Sequence, residues 1–426
     1  MTNYLFIGVD VSLKFNQFCV MNFEQHVFFN LSFANTPDGS NQFVSKLKDI
    51  YSKFHFDKFI FCLESTGMFS FHIACFLSSN EFLNSFNSVV YQVNAKDIKN
   101  YKKSFTDLEK TDPVDSYIIA DFARVGRCKN LHPFRGSQFI ALQRLTRQRF
   151  HISKNLVKEK LYVMNNLYLS FSGLVIADKC DKPFSNLFGA ASSSLLEEFS
   201  SPEVIANTSL EDLLNFISLK GKNRFKNPDN NINLLNKAVR SSYRLNQTAY
   251  EPINIAISSS INLIRSFESQ IKDIDKAILS TVSGLDSNTY NVLLSIPGIG
   301  RVFAAGILAE IGSINYFKHN SKLAKYIGLS WNRNQSGNFD SDNRKISSCA
   351  NKYLRYYIIE ATSSTLRCKF SFIKDFYDVK YNEVKKHQHK RALVLSARKF
   401  VRLIFGLLHK NHYYIPMPSV HNSKIV

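Results

Sequence analysis

No stretch of the 426-residue chain approaches the roughly 18 consecutive apolar residues that a membrane span requires, and no basic segment precedes the apolar N-terminus as in a secretory signal. The reading is a soluble, cytoplasmic protein with no membrane partner. The seven cysteines are odd in number and scattered, and no two stand as Cys-x-x-Cys, which argues against a disulfide framework and against a zinc ribbon. Acidic residues are scarce: 34 Asp and Glu face 54 Lys and Arg, for a formal charge of +20 and a pI near 9.5. Such a surplus points to a polyanion, because neutralised phosphates release counterions and drive association, and nucleic acid is the default partner. His387 and His389 stand among Lys385, Lys386, Lys390 and Arg391, so they read as part of a basic patch rather than as a metal pair. The length allows two or three domains, each with an ample core.

Against that scarcity, the placement of certain acids is informative. Tyr4-Leu-Phe-Ile-Gly-Val-Asp10 is an apolar run that ends in an acid, as does Phe59-Ile-Phe-Cys-Leu-Glu64. An acid at such a place is poorly suited to packing. In Leu108-Glu-Lys-Thr-Asp-Pro-Val-Asp115, Pro113 is a natural first residue of a helix, so Asp112 falls at the cap and Asp115 three residues on. Taken alone, two acids at a helix start are ordinary capping chemistry. Joined to Asp10 and Glu64, they become a candidate metal site.

The spacing predicts three strands at Tyr4–Asp10, Phe18–Met21 and Val27–Leu31, then a helix over about 39–54, the strand ending at Glu64, a helix after Ser65-Thr-Gly67, a strand at Val89–Val93 and the helix carrying Asp112 and Asp115. That order, with acids at the ends of the first and fourth strands, resembles a ribonuclease H-like fold of the RuvC type over about the first 125 residues. Hard oxygen ligands suit Mg²⁺, and two such ions clamp the attacking and leaving oxygens of a phosphodiester. From about Ala141 to Leu167, Leu145, Ile152, Leu156, Val163 and Leu167 step by fours and sevens as in a coiled-coil seam. Arg144, Arg147, His151, Lys154 and Lys158 form a basic stripe along the same helix, fit for a sugar-phosphate backbone and equally for plain solvation. Ile253 to Leu279 resumes a helical pattern, suited to return antiparallel to it. Leu293-Leu-Ser-Ile-Pro-Gly-Ile-Gly300 looks like the turn of a helix-hairpin-helix, with Gly298 and Gly300 presenting backbone N–H groups to phosphate; a purely structural turn is as natural a reading. Further on come a polar loop with Ser336-Gly337, then Arg344, Lys345, Arg355 and a basic amphipathic helix with Lys390, Arg391 and Arg398, all candidate nucleic-acid contacts. Spacing alone does not single out Ser336.

Together, Gly8-Val-Asp10-Val-Ser, Leu63-Glu-Ser-Thr-Gly67, Lys110-Thr-Asp-Pro-Val-Asp115, Ile296-Pro-Gly-Ile-Gly300, Ser336-Gly337 and Asn351-Lys-Tyr-Leu-Arg355 resemble one family. It is the DEDD transposases of bacterial insertion sequences, the insertion-sequence family numbered one hundred and ten, related to the Piv DNA invertases. The resemblance implies an α/β plus α architecture: a RuvC-like DEDD domain over 1–128, a helical coiled-coil and oligomerisation region over 129–285, and a mainly helical transposase domain over 286–426. It implies that Asp10, Glu64, Asp112 and Asp115 hold Mg²⁺, two ions in all, and that Ser336 attacks DNA to form a phosphoserine link. It further implies donor and target DNA, a structured bridge RNA as guide, dimers that join into tetramers, and a place at the nucleoid. Asn94-Ala95, Ser330-Trp331 and Ala350 depart from the family's usual Asn-Pro, Pro and Gly, and leave Ser341, Ser347 and Ser348 as alternative hydroxyls. A hydrolytic RuvC-like nuclease, such as a junction resolvase, and a non-catalytic nucleic-acid binder are the rival readings.

Overall fold

Five strands, β1 (Tyr4–Val11), β2 (Phe15–Met21), β3 (Val27–Ala34), β4 (Lys58–Glu64) and β5 (Val89–Val93), form one sheet in the order β3-β2-β1-β4-β5. β1 pairs antiparallel with β2 and β2 with β3, whereas β1–β4 and β4–β5 are parallel. Those parallel pairs require helical crossovers, and the chain supplies α1 (Pro37–Lys53) before β4, then α2 (Ser70–Ser79) and α3 (Glu81–Asn84) before β5. After β5 come α4 (Ala95–Lys102), α5 (Asp112–Arg124) and the long α6 (Ser137–Ser170). The computed structural model describes residues 3–65, 67–105, 111–131, 133–178, 180–285, 287–331, 335–336, 339–340, 346, 350–368 and 371–415. They divide into one unit of Met1–Gln143 with Thr281–Val426 and a second of Arg144–Ser280.

The period-two alternation of β1 decides which residues face which layer. Leu5, Ile7, Val9 and Val11 join Phe59, Phe61 and Leu63 of β4 and Phe43, Val44 and Leu47 of α1 in one core. Phe6 and Cys62 join Ile118, Ile119, Ala120 and Phe122 of α5 in the other. α1 starts as its sequence dictates, with Pro37 in the first turn and the Thr36 hydroxyl accepting the Gly39 N–H at 3.2 Å. α5 lies directly on β1 at Gly8, where an added Cβ would stand 2.2 Å from the Ala120 nitrogen and from the Ser116 oxygen. Glycine is thus required there by close approach rather than by an unusual φ.

The rest of the described chain is helical apart from the short pairings between Trp331 and Ile346. In the first unit Ser287–Leu294, Arg301–Ile311, Asn320–Ile327, Lys352–Arg367, Ser371–Asn382 and Gln388–Lys410 are helices. Phe134 N–H donates to the Val90 carbonyl at 2.8 Å and Arg135 donates to the Ala309 carbonyl at 3.2 Å, so the segment covering the β5 edge also reaches a C-terminal helix. In the second unit α6 pairs antiparallel with the helix Gln247–Val282 through Arg149–Asp275 at 2.5 Å and Lys160–Glu268 at 2.8 Å. Val163 and Leu167 of the expected seam are buried in a core with Ile257, Ile261 and Ile264 of that helix, and Leu156 packs against it. This stretch of the apolar stripe is therefore covered within the chain.

Gly8→Ala is expected to cost about 3 kcal/mol, because the new methyl group meets backbone rather than a side chain that can turn away. Chemical denaturation of the full chain measures it; a variant as stable as the parent would mean that α5 does not rest on β1.

Candidate active site

In the parallel register of β1 and β4, Gly8 stands beside Cys62 and Val9 beside Leu63. One residue further, Asp10 and Glu64 come side by side, and the alternation turns both toward α5, as it does Phe6, Gly8 and Cys62. Since Gly8 faces Ser116 and Ala120, Asp10 lies toward the start of α5, where Asp112 and Asp115 occupy the first turn. Thr111 is the extended N-cap and accepts the Asp115 N–H at 3.0 Å, so the helix begins one residue earlier than the sequence suggests. Pro113 sits second, and both acids stay in the first turn.

Two amides absent from the sequence reading hold that turn in place. Asn30 of β3 donates to the Pro113 carbonyl at 2.7 Å, while its oxygen accepts from Gln17 of β2 at 2.7 Å and from the Ser116 hydroxyl at 3.1 Å. Gln17 is the cross-strand partner of Asp10 and is buried. The same network thus braces both the strand and the helix that carry the acids.

The acids feel one another. Burial, then Asp115 and Asp112, push the Asp10 carboxyl up to about 6, against the Val11 N–H and Lys102, which favour the charged form. Glu64 is raised by burial, then by Asp10 and Asp115. Lys102, the last residue of α4, places its ammonium 2.5 Å from Asp115 Oδ1, with the two side chains only 23% and 25% exposed. Sequence reasoning missed it because Lys96, Lys99, Lys102 and Lys103 crowd one short segment and nothing in their spacing picks out the one that meets an acid. Among the described residues no three His, Cys, Asp or Glu side chains gather closely enough to hold a metal ion. The donors are nonetheless of the right kind, hard carboxylate oxygens whose mutual repulsion a divalent cation relieves.

Arg144, Lys154 and Lys158 are exposed on α6, with Arg147 half-buried beside them. Gly298 has φ +90 and packs so tightly that an added Cβ would stand 2.5 Å from Thr365 Cα, whereas Gly300 caps the helix Arg301–Ile311 in open space. Arg355 donates to the Ile327 carbonyl at 3.1 Å and lies against Gly328. Asn351 caps its own helix, accepting from Tyr353 and Leu354, and donates to the fully buried Glu310 at 2.6 Å. The Asn351-Lys-Tyr-Leu-Arg355 segment thus ties three helices together. Lys390 is exposed; Arg391 pairs with Glu383 at 2.9 Å. Arg398 is half-buried, its Nη1 has no hydrogen-bond partner among the described residues, and burial, then Arg402, lowers its affinity for the proton. His389 meets the Tyr377 hydroxyl at 2.7 Å. Ser336 pairs with Phe339 and Gln335 with Asp340, nested inside a Trp331–Ile346 bridge, so the backbone around Ser336 forms a short antiparallel pair. The Ser336 side chain, and Ser341, Arg344, Lys345, Ser347 and Ser348, lie outside the described residues.

A mixed sheet with carboxylates at its strand ends is thus followed by cation-rich helices. The family model described as "Transposase" matches residues 7–171, and that of the "Transposase IS116/IS110/IS902 family" matches residues 290–378. An uncharacterized 44.8 kDa protein of insertion element IS116 from Streptomyces clavuligerus is 23% identical over 340 residues, covering 78% of this chain and 79% of the relative. The chain belongs to the IS110 family of DEDD insertion-sequence transposases. DNA is accordingly its substrate, and cleavage with strand transfer its class of reaction. Among the described residues no helix is long and apolar enough to cross a membrane.

An acid whose proton affinity is raised on folding destabilises the fold once ionised. The sign is definite: with a folded value near 6 against 3.8, no contribution remains below about pH 4, and the full penalty applies above about pH 6. Asp10→Asn removes it, so at pH 7.5 without divalent ions the variant is expected to gain on the order of 1 kcal/mol after solvent screening, with no gain at pH 3.5. Thermal melts at the two pH values measure this, and a variant less stable at pH 7.5 would contradict the crowding of acids.

Proposed function

We propose that this chain is the recombinase of its insertion element, cutting and rejoining DNA through a covalent link between Ser336 and a DNA phosphate. The observation that carries the reading is the electrostatic coupling of acids from two strand ends and a helix start: beyond burial, Asp115 and Asp112 raise Asp10, and Asp10 and Asp115 raise Glu64. The N-terminal part is read as RuvC-like, and the functional division as 1–128, 129–285 and 286–426. Mg²⁺, when bound by these acids, neutralises the phosphate and lowers the proton affinity of a hydroxyl. The acids hold and orient that charge. Ser336 Oγ forms a bond to phosphorus as the bond to a deoxyribose oxygen breaks; the serine gives up its proton and the leaving oxygen gains one. Attack by a second strand's hydroxyl reverses the exchange and frees the serine. The link conserves the phosphodiester, which hydrolysis would discard.

A surplus of cations supports binding to donor and target DNA and to a guiding bridge RNA, on Arg144, Arg147, Lys154, Lys158, Lys390 and Arg398 above all, with Gly300 offering the start of a helix to a phosphate. Dimers that join into tetramers complete the reading.

The test is denaturing electrophoresis of protein with labelled DNA, RNA and Mg²⁺. Wild type is expected to give a protein–DNA band, and Ser336→Ala to lose both band and strand exchange while keeping DNA affinity within about twofold, since a neutral hydroxyl adds little to phosphate binding. A band that persists in Ser336→Ala would move the nucleophile elsewhere; cleaved DNA with no band from wild type would make the chain a hydrolase.

A further inference from the structure

α4 ends in a manner that leaves little freedom to Lys102. The Tyr101 hydroxyl donates to Asp121 Oδ2 at 2.5 Å, and Asp121, almost fully buried, also receives Arg124 at 2.7 Å. The Tyr101 ring stacks edge-on to Phe122 at 5.4 Å between centroids and lies under the Arg127 guanidinium at 5.0 Å. Asp121 and Phe122 belong to α5, the helix whose first turn holds Asp112 and Asp115. One residue after this anchor, Lys102 therefore comes onto Asp115, and the ion pair is about three-quarters covered. Its charge is felt beyond that contact, since it favours the ionised forms of Asp10 and Glu64 as well.

We propose that the Lys102 ammonium occupies the place of a divalent cation on Asp115 and must be displaced before the acids close on an ion, so that Lys102 sets the concentration at which the site loads. The inference rests on the reading of the four acids as a metal site. Four carboxylates brought together with no cation would repel one another; one tethered ammonium relieves part of that repulsion and removes one oxygen ligand from the set. A lysine suits this role better than an arginine, because its compact ammonium makes no two-point clamp on the carboxylate and exchanges readily for a hard ion. Its four-carbon stem remains fixed to the end of α4 after displacement, so the freed cation stays beside a phosphate brought to the acids. Loading and substrate neutralisation are thereby linked through one side chain.

The test is titration of the full chain with Mn²⁺ alone, reading free Mn²⁺ by electron paramagnetic resonance. Lys102→Met keeps the apolar stem and is expected to tighten Mn²⁺ binding roughly tenfold, with Lys102→Gln giving the same sense. Lys103→Met removes the same formal charge one residue away and is expected to change affinity less than twofold, which separates contact from general electrostatics. Unchanged or weaker binding in both Lys102 variants, or an equal gain in Lys103→Met, would overturn the proposal. Asp10→Asn is the companion measurement: if it binds Mn²⁺ as wild type does, the acids are not the site and both readings fall. Lost binding in Asp10→Asn without a gain at Lys102 would overturn the role of Lys102 alone.

Discussion

The architecture of the candidate site depends on one steric fact, the approach of α5 to β1 at a residue without a Cβ. With Ser116 and Ala120 backbone atoms where a side chain at position 8 would be, the helix lies against the strand, and its first turn comes to the end of the strand that carries Asp10. Parallel pairing of β1 with β4 then adds Glu64 by register alone. No loop has to be folded to a special shape to collect these acids. They come to the same end of the sheet because strands, helix and alternation agree, the consistency across levels that marks a specified structure.

That crowding of like charges is costly to the fold. Burial and like charge push Asp10 up to about 6, an expense that packing elsewhere must offset. The large cores on either side of the sheet are available for it, one built on Phe18, Phe43, Phe59 and Phe61, the other on Ile118, Ile119 and Cys62. Amides brace the site instead of neutralising it: the buried Gln17 and the half-buried Asn30 bond to each other, and Asn30 to the first turn of α5. Lys102 brings a compensating charge into direct contact with Asp115.

Much of this was legible in the sequence, and the limits have physical causes. Apolar runs ending in Asp10 and Glu64 announced strands that close on an acid, and Pro113 announced the helix, to within a residue at its cap. The apolar stripe of α6 was equally legible, but periodicity says only that a face is buried; that Val163 and Leu167 meet Ile257 and Ile261 of the same chain is a matter of tertiary packing. Arg355 and Gly298 show the opposite difficulty. A cation and a glycine near a presumed phosphate-binding turn look functional in one dimension, yet in three Arg355 satisfies the Ile327 carbonyl and Gly298 makes room for Thr365. Lys102, Gln17 and Asn30 carried no signal because each matters through a partner distant in sequence.

The central claim is that Asp10, Glu64, Asp112 and Asp115 make one site for a divalent ion. Anomalous scattering from crystals of the full chain soaked in Mn²⁺ tests it most directly. The account predicts a manganese peak bounded by these four carboxylates, with Lys102 drawn away from Asp115; a fully occupied peak elsewhere, with the Lys102–Asp115 pair intact and the acids empty, would contradict it.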